Sequence, residues 1–386
     1  MSKVELIATA TFGLEAVVAR ELNDLGYRQA TVETGKVTFT GDESAICRAN
    51  LWLRAADRVR LKVGEFTAQT FDELFERTRA LPWAELLPAD ASFPVDGKSV
   101  KSTLYSISDC QAIVKKAVVE SLKKKYKTEW FPEQGPVYRI EVSLLKDTAT
   151  LSIDTSGPGL HKRGYRFMQS EAPLKETLAA AMILISRWNP KITLIDPFCG
   201  SGTIPIEAAL IGQNIAPGMN RAFASEAWPT LPRKFWRETR KETHDRADYK
   251  QSLDISGFDI SEEAVRLARK NAAEAGVDHL IHLQTRPLEE LSSGKKYGKI
   301  ICNPPYGERM GEIKEVNNLY RKMGQIFPKL DTWSFYILTA GEDFEILFGR
   351  NASKKRKLYS GNIKVDYYQY FGPQPPVRGS TAGRNP

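Results

Sequence analysis

Asp196-Pro197-Phe198-Cys199-Gly200-Ser201-Gly202-Thr203 is the stretch on which the reading of this chain turns. Ile192 to Ile195 before it is a short apolar, β-branched run of strand type, and Ile204 to Leu210 after it has helical spacing, closed by Gly212. A strand that turns through Gly-x-Gly into a helix aims backbone N–H groups and a positive helix end at a ligand. The glycines matter because a side chain there would hold the ligand off the backbone. Taken alone, the pattern is also that of an ordinary tight strand-to-helix turn. The acid that ends the strand tilts it towards a nucleoside ligand.

A second stretch lies downstream. Tyr297 to Cys302 is strand-like and leads into Asn303-Pro304-Pro305-Tyr306-Gly307. Two prolines fix φ and remove two N–H donors, so neither strand nor helix continues through them. They hold the carbonyls of Asn303 and Pro304 rigidly at the strand end, with an aromatic ring just beyond. An amide oxygen and a fixed carbonyl can accept both hydrogens of an exocyclic amine, and the ring can stack on the base that carries it. The competing reading is a proline-bearing turn with a core tyrosine. Following a Gly-x-Gly turn in this order, the amine-binding reading is preferred.

Together the two elements resemble the S-adenosylmethionine-dependent methyltransferases that modify exocyclic amines. With Glu308 and Arg309 completing the second motif, and Leu160-His161-Lys162-Arg163-Gly164-Tyr165-Arg166 upstream, the chain is similar to the bacterial THUMP-domain ribosomal RNA guanine-N2 methyltransferases over nearly its whole length. The resemblance implies S-adenosylmethionine as cofactor. It also implies catalytic roles for Asn303, Pro304, Pro305 and Tyr306, and a cofactor site of Asp196, Phe198, Cys199, Gly200, Gly202, Thr203, Asp259, Ile260 and Asn303.

The pattern along the chain agrees with this. Residues 3–66 read β-α-β-β-α-β, the order of a ferredoxin-like α+β unit, assigned to 1–66. Residues 67–157 are expected to form the THUMP domain. Its helix, capped by Ser108 and Gln111, runs to about Tyr126, and its hairpin turns at Lys146-Asp147. That helix carries Lys115, Lys116, Lys123, Lys124, Lys125 and Lys127. On charge alone the lysines are either a solvated face or an RNA surface; the resemblance favours RNA. Residues 158–172 are a linker in which Lys162, Arg163 and Arg166 either touch RNA phosphate or tie the two halves together. Residues 173–372 alternate strand and helix, which predicts a Rossmann-like α/β domain with a seven-stranded, mostly parallel sheet closed by a hairpin. Residues 373–386, rich in Pro, Gly and Arg, read as a disordered tail.

Two features depart from the pattern. The acid that binds ribose is expected roughly 20 residues after the glycines, yet Asp259 comes later because 215–254 intervene. That insertion is basic and aromatic (Trp228, Trp236, Arg233, Lys234, Arg237, Arg240, Lys241), and either lines an RNA site or covers the sheet edge. After the third strand, Gln284-Thr285-Arg286 stand where relatives often place an acid.

The net charge of +8 over 386 residues favours a polyanionic partner, here RNA and by resemblance 23S rRNA. Cys47, Cys110, Cys199 and Cys302 are isolated and form no ligand spacing with the four histidines, so neither disulfides nor a metal site are expected. No signal-peptide profile or membrane-spanning run is visible, and a cytoplasmic location is expected. The oligomeric state is not legible. The alternatives kept beside a 23S rRNA guanine-N2 methyltransferase are a tRNA guanine-N2 enzyme, a DNA adenine-N6 enzyme and a non-catalytic RNA-binding assembly factor.

Overall fold

The computed structural model describes residues 3–166, 174–306 and 310–375, with 310–312 by backbone alone. The chain begins β1 (Lys3–Ala10), α1 (Glu15–Asp24), β2 (Thr31–Glu33), β3 (Lys36–Asp42), α2 (Ser44–Trp52) and β4 (Ala56–Thr67). It continues through α3 (Phe71–Arg79), the short α4 (Trp83–Leu86), β5 (Val95–Val100), α5 (Ile107–Tyr126), β6 (Ile140–Leu145) and β7 (Thr148–Asp154). Next come α6 (Glu176–Ser186), β8 (Leu194–Asp196), α7 (Thr203–Gly212) and α8 (Arg233–Arg246). Then follow β9 (Ile255–Asp259), α9 (Glu262–Glu274), β10 (Ile281–Thr285), β11 (Lys299–Cys302) and α10 (Met310–Ile326). The chain closes with β12 (Ser334–Thr339), α11 (Phe344–Phe348), β13 (Lys354–Ser360) and β14 (Ile363–Tyr370).

These elements form two compact units. One comprises 1–164 and 214–248, the other 165–213 and 249–386. In the first, the ferredoxin-like and THUMP parts share one seven-stranded sheet in the order β2-β3-β1-β4-β7-β6-β5. Alternation sets its two faces. Leu6, Ala8, Val59, Leu61, Val142, Leu144, Leu151 and Ile153 are buried on the core face. Helix α3 begins as its sequence suggests. Thr70 accepts from the Glu73 N–H, and Glu73 reaches back to the cap, which closes a capping box. Helix α5 instead starts at Ile107, with Ser106 as N-cap and no side-chain cap, so the Ser108 box expected from sequence does not form. The β6–β7 hairpin turns at Lys146 and Asp147, both at positive φ (50° and 63°) as the tight primed turn requires.

Residues 214–248, which follow α7 within the span read as the methyltransferase domain, cluster with the first unit. Their aromatics explain this. Trp228 stacks on Tyr138 at 4.4 Å and donates to the Val137 carbonyl, and Phe223 stacks on Trp236 at 5.1 Å. Arg221 donates to the carbonyls of Gly159 (2.6 Å) and Lys162 (3.0 Å). Burial, followed by the charges of Arg163 and Arg58, pulls its pKa down to about 10.

In the second unit the sheet order is β10-β9-β8-β11-β12-β14-β13. The pairs from β10 to β12 are parallel, and β14 runs antiparallel to both neighbours. Parallel strands need crossover helices on the sheet faces, which is why α6, α7, α9 and α10 alternate with them. The order reverses at β8 and β11, where ligands of such sheets bind beyond the carboxyl ends of the strands. Among the described residues, no helix is long and apolar enough to cross a membrane. Residues 376–386 of the expected tail lie outside the described residues.

Candidate active site

Both motifs meet at that switch point. Strand β8 ends at Asp196 and β11 at Cys302, and the two pair side by side with Leu194 opposite Lys299 and Ile195 opposite Ile300. Continuing the register sets Asp196 level with Ile301, so Asn303 follows immediately beyond the end of the turn strand. On the other side β9 pairs with β8, Asp196 opposite Gly257, and carries Asp259 past the sheet edge.

The Gly-x-Gly turn is held from below and open above. The Cys199 N–H donates to the Phe258 carbonyl at 2.8 Å, and the Gly200 N–H to Asp259 Oδ2 at 2.9 Å. Asn271 Nδ2 donates to the Ser201 carbonyl at 2.9 Å. Gly200 has φ +51° and nothing within 4 Å of where a Cβ would stand, so the space above it is free. Gly202 has φ +84°, and a Cβ there would stand 3.0 Å from Ala268 Cβ: this glycine lets α7 pack against α9. Helix α7 starts at Thr203 without a side-chain cap, which leaves its first N–H groups for a ligand.

The acids differ. Asp196 is 1% exposed, and its Oδ1 accepts from the Phe198 N–H at 3.1 Å. Burial raises its pKa well above the ordinary carboxylate range, and the charge of Asp259 adds to the rise. Asp259 accepts backbone N–H groups on both oxygens, from Gly200 and from Ser261 (2.9 Å). Phe198 packs against the apolar core below the sheet, the buried Cys199 thiol has its pKa pushed up by burial, and Ile260 beside Asp259 is 78% exposed.

At the second motif Pro304 is buried, Pro305 exposed and Tyr306 half-buried. Asn303 Oδ1 is buried and has no hydrogen-bond partner among the described residues. Gly307, Glu308 and Arg309 lie outside the described residues. Sequence reasoning missed what holds this loop. The Tyr320 hydroxyl, on α10, donates to the Pro305 carbonyl at 3.3 Å and lies 2.6 Å from Thr339 Oγ1. Tyr320 is 1% exposed, and burial raises its pKa to about 12. Its helical spacing marks it only as core.

The basic residues split. Arg163 is 3% exposed and donates to the carbonyls of Leu160 (2.7 Å) and Arg54 (2.5 Å). Arg166 reaches Glu176 (2.9 Å), the Leu174 carbonyl and Thr203 Oγ1. Both are therefore corrected from RNA contacts to internal ties, because turned-in guanidiniums need these acceptors. Lys115 is likewise held, 2.6 Å from Glu133 and 3.7 Å above the Phe93 ring. Lys123 pairs with Glu120 and Glu129. Lys116, Lys124, Lys125, Lys127 and Lys162 are exposed.

A strand-turn-helix cradle beside a proline-bearing loop at the switch point defines a Rossmann-like methyltransferase, a class that draws its methyl group from S-adenosylmethionine. Comparison with known proteins gives the family. Residues 163–369 match the RMKL-like methyltransferase domain, 5–60 the RlmL ferredoxin-like domain and 68–154 the THUMP domain. The chain belongs to this family. It is 54% identical to the putative RNA methyltransferase YpsC of Bacillus subtilis, over 99% of each chain. It is 34% identical to the ribosomal RNA large subunit methyltransferase K/L of Syntrophotalea carbinolica, with 97% of this chain matched but 56% of that protein, so the chain spans about half of that relative's length. Among solved structures, a predicted N6-adenine-specific DNA methylase from Listeria monocytogenes superposes with a TM-score of 0.93 at 54% identity, over 97% of each chain. The putative methyltransferase SMU.472, solved with S-adenosylhomocysteine, gives 0.91 at 49%, over 97% of this chain and 99% of that one.

Proposed function

We propose that this RNA methyltransferase modifies the exocyclic N2 amine of a guanine in large-subunit ribosomal RNA. The observation that carries the reading is Asn303 Oδ1, a buried amide oxygen without a partner among the described residues, next to the open Gly-x-Gly turn. A buried acceptor left unpaired is costly and points to a donor supplied by substrate. The residues fit the cofactor. Gly200 leaves room for its methionine end, the N-terminus of α7 offers N–H groups, and the exposed Ile260 offers an apolar contact for the adenine. Asp259 keeps lone pairs free beyond its two backbone bonds and would accept the ribose hydroxyls.

When bound, S-adenosylmethionine supplies a methyl already activated on a sulfonium. The protein must therefore position and polarise a poor nucleophile, and needs no strong base for it. Asn303 Oδ1 and the Pro304 carbonyl accept the two amine hydrogens, which draws electron density onto nitrogen. Tyr306 stacks on a base taken out of its helix. Tyr320, itself bonded to Thr339, holds the Pro305 carbonyl that follows.

Large-subunit RNA as substrate is supported by the relationship to the K/L enzymes and by the ferredoxin-like and THUMP domains. The test supplies labelled cofactor with undermethylated ribosomal RNA, tRNA and duplex DNA, followed by nucleoside analysis. N2-methylguanosine from large-subunit RNA is the expected product. N2-methylguanosine from tRNA or N6-methyladenine from DNA would replace the reading with one of its rivals.

A further inference from the structure

In the first unit, the open face of the shared sheet forms a groove of about 470 Å³. It spans both of that unit's domains. Ile7 and Thr9 on β1, Lys36 on β3 and Arg60 on β4 come from the ferredoxin-like part; Lys98, Ser143 and Thr150 come from the THUMP strands. Five cations line it, Lys36, Arg60, Lys98, Lys101 and Lys146, against one carboxylate, Glu141. Lys101 and Lys146 are exposed at the rim and have no ion pair among the described residues. Exposed Val100 and Leu145 add apolar surface beside them.

The second observation is Arg60. It stands on β4, the central strand of the seven, and is 8% exposed. Its Nη2 pairs with Glu141 at 2.9 Å, while Nε and Nη1 find no partner among the described residues. Glu141 is shared, its other oxygen lying 3.1 Å from Lys98. One carboxylate therefore holds two cations, Lys36 is paired with Glu33 and Glu65, and the positive charge left over is that of Lys101, Lys146 and the shared Arg60–Lys98 pair. A guanidinium with unmet donors in a positive groove fits an anion with several acceptor oxygens. The hydroxyl of Ser143 on the floor suits the same ligand, while Thr150 Oγ1 donates to Glu65 and Thr9 Oγ1 to the Arg58 carbonyl.

We infer that this groove is a docking site for a single-stranded segment of the RNA substrate. A backbone phosphate faces Arg60, flanking phosphates face Lys101 and Lys146, and a base lies on Val100 and Leu145. The inference rests on the RNA reading above, and adds a site distinct from the lysines of α5 and from the Asn303 loop.

The test measures binding of the full-length protein to a fluorescein-labelled oligouridylate across a salt series. Lys101→Gln/Lys146→Gln should raise the Kd about tenfold. It should also flatten the dependence of log K on log salt by about 1.4, since each lost phosphate contact on a single strand is worth about 0.7 of slope. Arg60→Lys, which keeps a charge for Glu141 but loses the planar fork, should weaken binding severalfold with an unchanged thermal melt. Should that variant fail to fold, the rim variant decides. Wild-type affinity and slope in the rim variant, with losses in a Lys124→Gln/Lys127→Gln control, would overturn the groove and leave the RNA reading standing. No RNA binding by the wild type would overturn both.

Discussion

Replacing Asn303 by alanine separates stability from catalysis in a way the structure makes quantitative. In the free protein Asn303 Oδ1 is buried and has no hydrogen-bond partner among the described residues, so none of them gains a hydrogen bond from it. Its removal should not lower the melting temperature, because an unmet buried acceptor disappears with the side chain. The cost falls on the reaction. A target N–H facing alanine loses its acceptor in a water-poor site, a penalty of about 2–3 kcal/mol, equivalent to about 30- to 150-fold in rate. That agrees with the scale of losing one preorganised polar group. Single-turnover methylation of ribosomal RNA with excess enzyme isolates the step, calorimetry with S-adenosylhomocysteine reports cofactor affinity, and a thermal melt reports stability. The expected pattern is a slow enzyme with near-normal cofactor affinity and an unchanged melt. A near-normal rate would refute the proposed mechanism; a clear fall in melting temperature would refute the claim that Oδ1 awaits a substrate donor.

Tyr306→Ala should lose rate and base docking, whereas Tyr306→Phe should be mild because stacking needs the ring; equal losses in single-turnover assays would give the hydroxyl a role. Tyr320→Phe removes the hydroxyl that bridges the Pro305 carbonyl and Thr339 but keeps the ring against Phe344. It should cost about 1 kcal/mol in a denaturant melt and several-fold in rate at unchanged cofactor affinity; an unaltered rate would show that the loop holds itself. Asp259→Ala removes the acceptor for the Gly200 and Ser261 N–H groups, so cofactor affinity and stability should fall together; unchanged calorimetric affinity would remove Asp259 from the site. The Asp196 carboxyl, raised by burial and then by Asp259, favours its neutral form in the folded state. Its contribution to stability is therefore full at low pH and is lost as pH rises through that raised pKa, above the ordinary carboxylate range; the isosteric Asp196→Asn should remove this component of the melting profile, and parallel profiles would contradict it.

The parts of the fold that were legible in the sequence are those set by local chemistry. Gly200 and Gly202 had to take positive φ, and the prolines after Asn303 had to end a strand, so both motifs could be placed at strand ends. What stayed hidden depends on partners far along the chain. Arg163 looks from its neighbours like a phosphate ligand, but the carbonyl of Arg54 receives it. Lys115 sits in a basic helix, yet Glu133 and the Phe93 ring occupy it. Trp228 and Trp236 read as an RNA surface or as a cover for the sheet edge, until Tyr138 and Phe223 supply stacking partners. The short α11 spans five residues, too few for a helical period to register.

The groove shows the same limit from the other side. Ile7, Arg60, Glu141 and Thr150 alternate with core residues on four strands, a pattern that locally says only that one sheet face is solvated. Register brings them together. Ile7 lies opposite Arg60, Arg60 opposite Asp154, and Ser143 opposite Thr150. Because β4 pairs with β7, two domains that could each have buried an edge instead present one continuous face. A polar face that merely met water would have no reason to hold an arginine nine-tenths buried with unmet donors, since turning it outwards would hydrate them. Such an arginine costs stability in the free protein, and a ligand that completes its hydrogen bonds would recover that cost.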